Sequence, residues 1–127
     1  MSAAIWSKRV TVEDGRALVA PPNLLDIYNA GIFREYLAAA SAQSSSGDIV
    51  VMMGAVEVFD EDGLGCLVGA LRRAATVGAA VYLLRTPQLV IDRLTRTGLL
   101  SQFKLIESLG ELAPTPAPEV APETAHV

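Results

Sequence analysis

Carboxylate side chains are concentrated in one short stretch of the chain, which reads Asp60-Glu61-Asp62-Gly63-Leu64-Gly65. An apolar run of strand length, 49–53, precedes it, and Leu64, Leu67, Val68, Leu71 and Ala75 follow at the three- and four-residue spacing of a helix face. Loops that connect a sheet strand to a helix are where α/β domains usually present binding groups. We therefore place the candidate functional site at this acidic turn and at the start of the helix predicted over 63–77.

The acidic turn has two interpretations that coexist. In the first, Asp62 is an ordinary helix N-cap, and Asp60 and Glu61 are acids of the kind enriched near a helix start. In the second, the carboxylates are contacts for a partner. A calcium loop is not indicated, because its first and last ligand positions would fall on Val58 and Gly69.

The residues that a catalytic triad, a zinc site or a phosphate-binding loop would need are missing from the predicted domain. The one histidine, His126, lies in the tail, so no triad or histidine zinc site forms in the folded part, and no phosphate-binding glycine motif occurs. We interpret Cys66 as a small packing residue, and Arg72 and Arg73 as solvated charges or as contacts to an acidic partner patch. Together these patterns disfavour an enzyme, a metal site and a cofactor.

Small residues along the same helix allow two readings as well. Gly63, Gly65 and Gly69, with Cys66 and Ala70, would leave a smooth surface that a partner approaches closely. Alternatively, they let the helix pack tightly on the sheet.

Composition indicates one domain that folds without disulfides. The chain has 127 residues, 51% hydrophobic, with a single cysteine and a net charge of −4. No apolar run approaches the roughly 20 residues of a membrane span, and no basic face suits a phosphate backbone. We expect a cytoplasmic protein that binds neither membrane nor nucleic acid directly.

The elements that position the turn follow an α/β order. A hairpin is predicted over 8–20, turning at Asp14-Gly15, then a helix that Asp26 caps and that runs to about Ala42, and a flexible serine linker over 43–47. A strand over 80–84, a helix from Pro87 to Thr97 and a closing apolar segment complete the pattern. The prediction is a mixed central sheet of four to five strands with alternating helices, an extension over 1–7, a domain over 8–110, and a disordered Pro/Ala/Glu-rich tail over 111–127.

Several of these residues resemble one known family. The acidic turn after its strand, the helix through Leu71 and Arg72, the later Thr86-Pro87, and the run 94–99 are similar to the STAS domain of bacterial anti-sigma factor antagonists. Leu25-Asp26 also resembles the family's Leu-Asp, and the similarity covers about 8–109. The resemblance implies a protein-interaction module that regulates sigma-factor-dependent transcription by sequestering a partner that is both a serine kinase and an anti-sigma factor.

The sequence departs from the family at the switch position. The family's turn reads Asp-Ser-Ser-Gly-Leu-Gly, and its second serine is the one that the kinase phosphorylates, whereas this chain has Glu61 and Asp62 there. Aspartate carries about −1 charge against about −1.5 to −2 for phosphoserine, so Asp62 imitates the modified state in part and cannot be switched.

The resemblance and the turn together give the predicted partner-binding residues, which are Asp60, Glu61, Asp62, Gly63, Leu64, Gly65, Cys66, Gly69 and Arg73. The alternative is a scaffold or sensory subunit that binds other STAS proteins or a small ligand.

Overall fold

A five-stranded mixed sheet forms the centre of the protein in the computed structural model, which describes residues 9–114. In chain order, the secondary-structure elements of the protein are β1 (Val10–Glu13), β2 (Arg16–Val19), β3 (Leu24–Leu25), α1 (Ala30–Gln43), β4 (Ile49–Met52), β5 (Val58–Phe59), α2 (Glu61–Thr76), β6 (Val81–Leu84), α3 (Gln88–Arg96) and β7 (Lys104–Ile106). Two 3-10 turns lie at Leu100–Gln102 and Leu109–Glu111. The sheet order is β1-β2-β4-β6-β7, and β3 and β5 form a separate parallel pair. The predicted α/β class and mixed sheet are confirmed.

The predicted hairpin is present, and its turn explains why. Glu13 pairs with Arg16 across an antiparallel ladder, which leaves a two-residue loop. Asp14 and Gly15 both have positive φ, 51° and 79°. Asp-Gly is favoured in such a loop because both positions must adopt left-handed backbone that most side chains avoid.

The strands β2, β4, β6 and β7 are parallel, so their carboxyl ends meet at one edge of the sheet. Alternate residues of these strands point to opposite faces. The first face packs beneath the helices, where Phe33, Leu37 and Leu67 are fully buried. The second face carries a smaller cluster, against which the C-terminal segment packs through Leu109 and Leu112.

The fold differs from the prediction at two points, the start of α1 and the pair β3 and β5. Asp26 does not cap α1, because its Oδ1 accepts from the backbone N–H groups of Tyr28 and Asn29 in a turn that precedes the helix. The helix then begins at Ala30 with no side-chain cap. The pair β3 and β5 was not predicted, because strands of two residues have no readable periodicity.

The serine linker is held in place rather than flexible. The backbone carbonyl of Gly15 accepts hydrogen bonds from the hydroxyls of Ser44, at 3.2 Å, and Ser46, at 3.0 Å. Ser44 Oγ also donates to the carbonyl of Asp48 at 2.7 Å. These bonds fasten the end of α1 to the hairpin turn.

The ends of the chain lie largely outside the described residues. The predicted extension over 1–7 is outside them, and so is the tail from residue 115 onward. Residues 111–113, which the sequence assigned to the tail, belong to the segment packed on the second face, and Arg16 Nη2 donates to the carbonyl of Ala113 at 2.7 Å. Within residues 9–114, no helix is long and apolar enough to cross a bilayer.

Candidate partner-binding site

Asp60 is the N-cap of α2. Its backbone is extended, and its Oδ1 accepts from the N–H groups of Asp62 at 2.9 Å and Gly63 at 3.4 Å. The helix therefore begins at Glu61, two residues earlier than predicted. The interpretation of Asp62 as the N-cap is wrong, because the side chain two positions before it satisfies the free donors.

Asp62 consequently has a carboxylate that the helix does not use. The residue lies half-buried in the first turn of α2, beside the exposed Glu61. Among residues 9–114, no hydrogen bond or ion pair reaches the Asp62 carboxylate. Its charge is available to a partner and lies at the positive end of the helix dipole, which stabilises it.

Gly63 and Cys66 lie beneath the predicted contact surface rather than on it. A Cβ added to Gly63 would stand 2.8 Å from both the Cβ and the carbonyl oxygen of Leu25, so the glycine lets α2 approach that strand. Cys66 is buried, and its Sγ donates to the carbonyl of Ala30 at 3.4 Å.

The chemistry of Cys66 agrees with a packing role. Burial raises the pKa of the Cys66 thiol, and the Asp62 charge adds to this, while Arg34 and Arg73 lower the pKa. Because the thiolate is the reactive form, a raised pKa disfavours Cys66 as a nucleophile. Of the two readings of the small residues, tight packing holds for Gly63, Cys66 and Ala70, all of which are buried.

Gly65 and Gly69 face outward, as expected if small residues leave a smooth helix surface that a partner can approach. Gly65 is exposed and has no atom within 4 Å of an added Cβ, and at half-buried Gly69 the nearest such atom is Arg73 Nη1 at 3.8 Å. Leu64 is half-buried and packs against the core. The predicted partner surface is thus reduced to the outer side of the first two turns of α2.

Arg73 is not a solvated charge. Its Nε donates to Ser41 Oγ of α1 at 3.3 Å, and its Nη2 is buried without a hydrogen-bond partner among the described residues. The side chain therefore lies across the contact between α1 and α2. Arg72 is exposed, as predicted.

An exposed apolar patch lies beside the acidic turn. It consists of Leu24, Ile27, Tyr28 and Val58, of which Ile27 is 66% and Tyr28 90% exposed. Leu24 and Val58 are neighbours in the β3–β5 ladder, and the N–H of Asp60 donates to the carbonyl of Leu25 at 3.1 Å. The patch is therefore joined directly to the cap of α2.

The sequence contains one indication of this patch, although the patch was not predicted. Ile27 and Tyr28 stand between Asp26 and Asn29, which are turn-forming residues, and large apolar side chains in a turn have little core to enter. Exposed apolar groups that share a surface commonly mark interaction sites.

The arrangement can bind a protein surface, and its donor set does not suit a metal ion. Glu57 and Glu61 are exposed and flank the Val58–Asp60 segment in the chain, so acidic side chains lie next to Val58 of the apolar patch. Within the described part of the chain, no group of three His, Cys, Asp or Glu side chains is placed to hold a metal.

Comparisons with known proteins agree with this architecture. The model of the STAS domain family matches residues 7–112. An anti-sigma-factor antagonist (STAS) domain protein from Planctomyces limnophilus is similar with a TM-score of 0.74 at 17% identity, over 81% of this chain and 92% of that chain. A candidate anti-sigma factor antagonist from Thermotoga maritima gives 0.67 at 23% identity, over 80% and 87%.

The phosphorylated form of the Bacillus cell fate determinant SpoIIAA is similar with a TM-score of 0.61 at 16% identity, over 92% of this chain and 97% of that chain. The unphosphorylated form of SpoIIAA, an anti-sigma factor antagonist, gives 0.61 at 16%, over 94% and 98%. No curated protein matches the chain in sequence. At these identities the structural likeness concerns the fold, and the family match covers most of the chain.

Proposed function

Because the chain belongs to the STAS domain family, we propose that it acts as a non-catalytic, cytoplasmic interaction module of the anti-sigma factor antagonist kind. Its partner would be an anti-sigma factor of the serine kinase type, and binding would regulate sigma-factor-dependent transcription. The observation that supports this most directly is the Asp62 carboxylate, which stands half-buried and without a hydrogen-bond or ion-pair partner among residues 9–114 at the start of α2.

The charge of Asp62 defines how the module would differ from a switchable antagonist. One similar protein, SpoIIAA, exists in phosphorylated and unphosphorylated forms. In this chain an aspartate stands at the position that the resemblance gives to the phosphorylated serine, so a kinase has no hydroxyl to modify. The carboxylate supplies a fixed charge of about −1 in place of a reversible phosphate.

The surface beside Asp62 has both apolar and charged groups, which favours a partner surface that also combines the two. Tyr28 and Ile27 project from the turn before α1, and aromatic side chains of this kind often carry much of the binding energy at protein interfaces. Exposed Glu57 and Glu61 flank Val58 of the same patch in the chain. A matching partner surface would offer an apolar pocket for Ile27 and Tyr28 and acidic side chains toward Asp62, so that the fixed charge of Asp62 weakens binding.

The test compares two charge-removing variants in one binding experiment. Asp62→Ser removes the charge and restores a hydroxyl, and Glu61→Ser makes the same chemical change at the neighbouring exposed position. Each protein is used as bait in lysate of the source cells. A captured anti-sigma factor with a kinase domain is then purified, and its affinity for each variant and its transfer of labelled phosphate from ATP are measured.

We expect Asp62→Ser to bind about tenfold more tightly than the native protein, since one like charge is removed from the interface, and to accept phosphate. Glu61→Ser should change affinity less and accept no phosphate. Capture of no such kinase, or equal affinity and no phosphate on Asp62→Ser, would contradict the proposal.

A scaffold that binds other STAS domains is the second candidate, and the apolar patch favours it. Tyr28 at 90% exposure would be buried in a complex of two such domains. Concentration-dependent sedimentation of the native protein that Tyr28→Ser abolishes, without capture of a kinase, would select this function.

A further inference from the structure

A cavity that no residue of the acidic turn lines lies at the carboxyl edge of the parallel strands. Its volume is about 610 Å³, and it lies between the loops that follow β2, β4 and β6. Volumes of this size are typical of small-molecule sites, and the carboxyl edge of an open α/β sheet is their common location.

The floor of the cavity is apolar. Met52 and Leu84 form part of it, and both belong to the cluster on the second face of the sheet. Ala20, Pro21 and Pro87 add further apolar walls. The C-terminal segment covers a different part of this face through Leu109 and Leu112, so the cavity adjoins the covered part.

The charged groups that line the cavity are all cationic. They are Arg9, which directly precedes β1, and Arg85, which directly follows β6, and no acid is among the described lining residues. Neither arginine forms an ion pair within residues 9–114. Arg85 has a φ of 54°, a left-handed conformation that is uncommon outside glycine and that often marks a functional position.

Unsatisfied polar groups lie between Thr86 and the first turn of α3. Thr86 Oγ1 is buried with no hydrogen-bond partner in the part of the chain that the structure describes. Pro87 is the N-cap of α3 and supplies no side-chain cap, so the N–H groups of Gln88 and Leu89 have no acceptor among residues 9–114. Such donors favour an anion.

From these observations we propose that the cavity binds a small organic anion with an apolar body. The apolar part packs on Met52 and Leu84, and the anionic group lies between Arg9 and Arg85, near the start of α3. The shared chemistry is that of an aliphatic or aromatic carboxylate, sulfonate or phosphate ester. This site is separate from α2, so the proposal stands or falls independently of the proposed function.

Two probes of matched shape test the proposal on the full chain. The anionic probe is 8-anilinonaphthalene-1-sulfonate, and N-phenyl-1-naphthylamine is the same ring system without the sulfonate. Their fluorescence is titrated with the native protein, Arg9→Gln, Arg85→Gln and the control Arg72→Gln, which removes an exposed charge on α2. Decanoate and decyl phosphate are then used as competitors, to distinguish carboxylate from phosphate ester.

We expect the sulfonate probe to bind the native protein more tightly than the neutral probe. Each cavity variant should weaken sulfonate binding roughly three- to tenfold, while Arg72→Gln leaves it unchanged. In ¹H–¹⁵N spectra, the probe should shift the amide signals of Gln88 and Leu89.

Three results would each overturn the proposal. They are equal binding of the two probes, equal loss in all three arginine variants, and amide shifts confined to other surfaces. Thermal unfolding of each variant verifies that it is folded, so a loss of binding reports on the site.

Discussion

Three consecutive acids at the start of α2 have three different positions. Asp60 accepts the free N–H groups of the first turn, Glu61 is exposed, and Asp62 is half-buried without a partner for its carboxylate among residues 9–114. The cap leaves Asp62 unused by the fold. The fold therefore constrains the residue type at position 62 less than it constrains Asp60.

This division predicts a difference in stability between two alanine variants. Asp60→Ala should lower the free energy of unfolding by about 1 kcal/mol, because two backbone donors lose their acceptor. Asp62→Ala should cost less, since it loses a dipole interaction of about 0.3–1 kcal/mol and gains helix propensity. Urea unfolding of the two variants measures the difference. Equal losses would contradict the assignment of the cap.

At this scale, the sequence located the acidic turn at the start of a helix but not the structural role of each of its residues. The acids and the helical spacing placed the turn correctly at the start of α2, but the strand that ends beside the turn is β5, whereas the strand predicted there, over 49–53, is β4 and ends at Met52. Which of two acids two positions apart caps a helix depends on one backbone conformation, which residue types do not reveal. The burial of Cys66 and the contact between Arg73 and Ser41 depend on α1, a neighbour that is distant in sequence.

At the scale of the element, one side of α2 is buried against the rest of the protein and the other side is exposed. Its buried residues are Gly63, Cys66, Leu67, Ala70 and Ala74, so the buried side is rotated from the predicted face, of which Ala75 is exposed. Large apolar residues suggested the face, but small residues at the contact let the helix come close to its neighbours. Strand and helix positions followed from periodicity, whereas this rotation arises from tertiary packing.

Two glycine-to-alanine variants on α2 should change stability in opposite directions. Gly63→Ala forces a methyl group within 2.8 Å of Leu25, so we expect a loss of about 1–3 kcal/mol. Gly65→Ala meets nothing within 4 Å and should gain up to about 1 kcal/mol from helix propensity. Chemical denaturation measures both. A stabilised Gly63→Ala would contradict the close approach of α2 to Leu25.

At the scale of the whole molecule, the two faces of the sheet are covered by different means. Helices cover the first face, and the C-terminal segment, residues 107–114, covers part of the second. Glu111 Oε2 accepts from the N–H groups of Glu107 and Ser108, which folds this segment into a turn. The composition of the chain's end predicted a tail from residue 111 onward, since two leucines among polar and small residues give no periodicity to read.

Arg16 connects this segment to the sheet, which makes it the residue on which the last prediction depends. Its buried side chain forms two ion pairs, from Nε to Asp48 Oδ2 at 3.4 Å and from Nη1 to Asp14 Oδ2 at 3.6 Å. Its Cζ lies 6.0 Å from the centre of the Tyr82 ring. Its Nη2 donates to the carbonyl of Ala113 at 2.7 Å. A buried guanidinium needs these acceptors, because leaving one of its donors unpaired is costly.

Two shortened chains should therefore differ in stability. A chain ending at Pro114 keeps Leu109, Leu112 and the Ala113 carbonyl, so its free energy of unfolding should stay within about 0.5 kcal/mol of the full chain. A chain ending at Ser108 loses both leucines and one acceptor of Arg16, which should cost roughly 2–4 kcal/mol. Urea unfolding of the two chains, with Leu112→Ala in the full chain as a point control, measures the difference. Equal stability of the two shortened chains would show that the second face does not need its cover, and the contacts of Arg16 with Asp14, Asp48 and Tyr82 would then suffice to hold it.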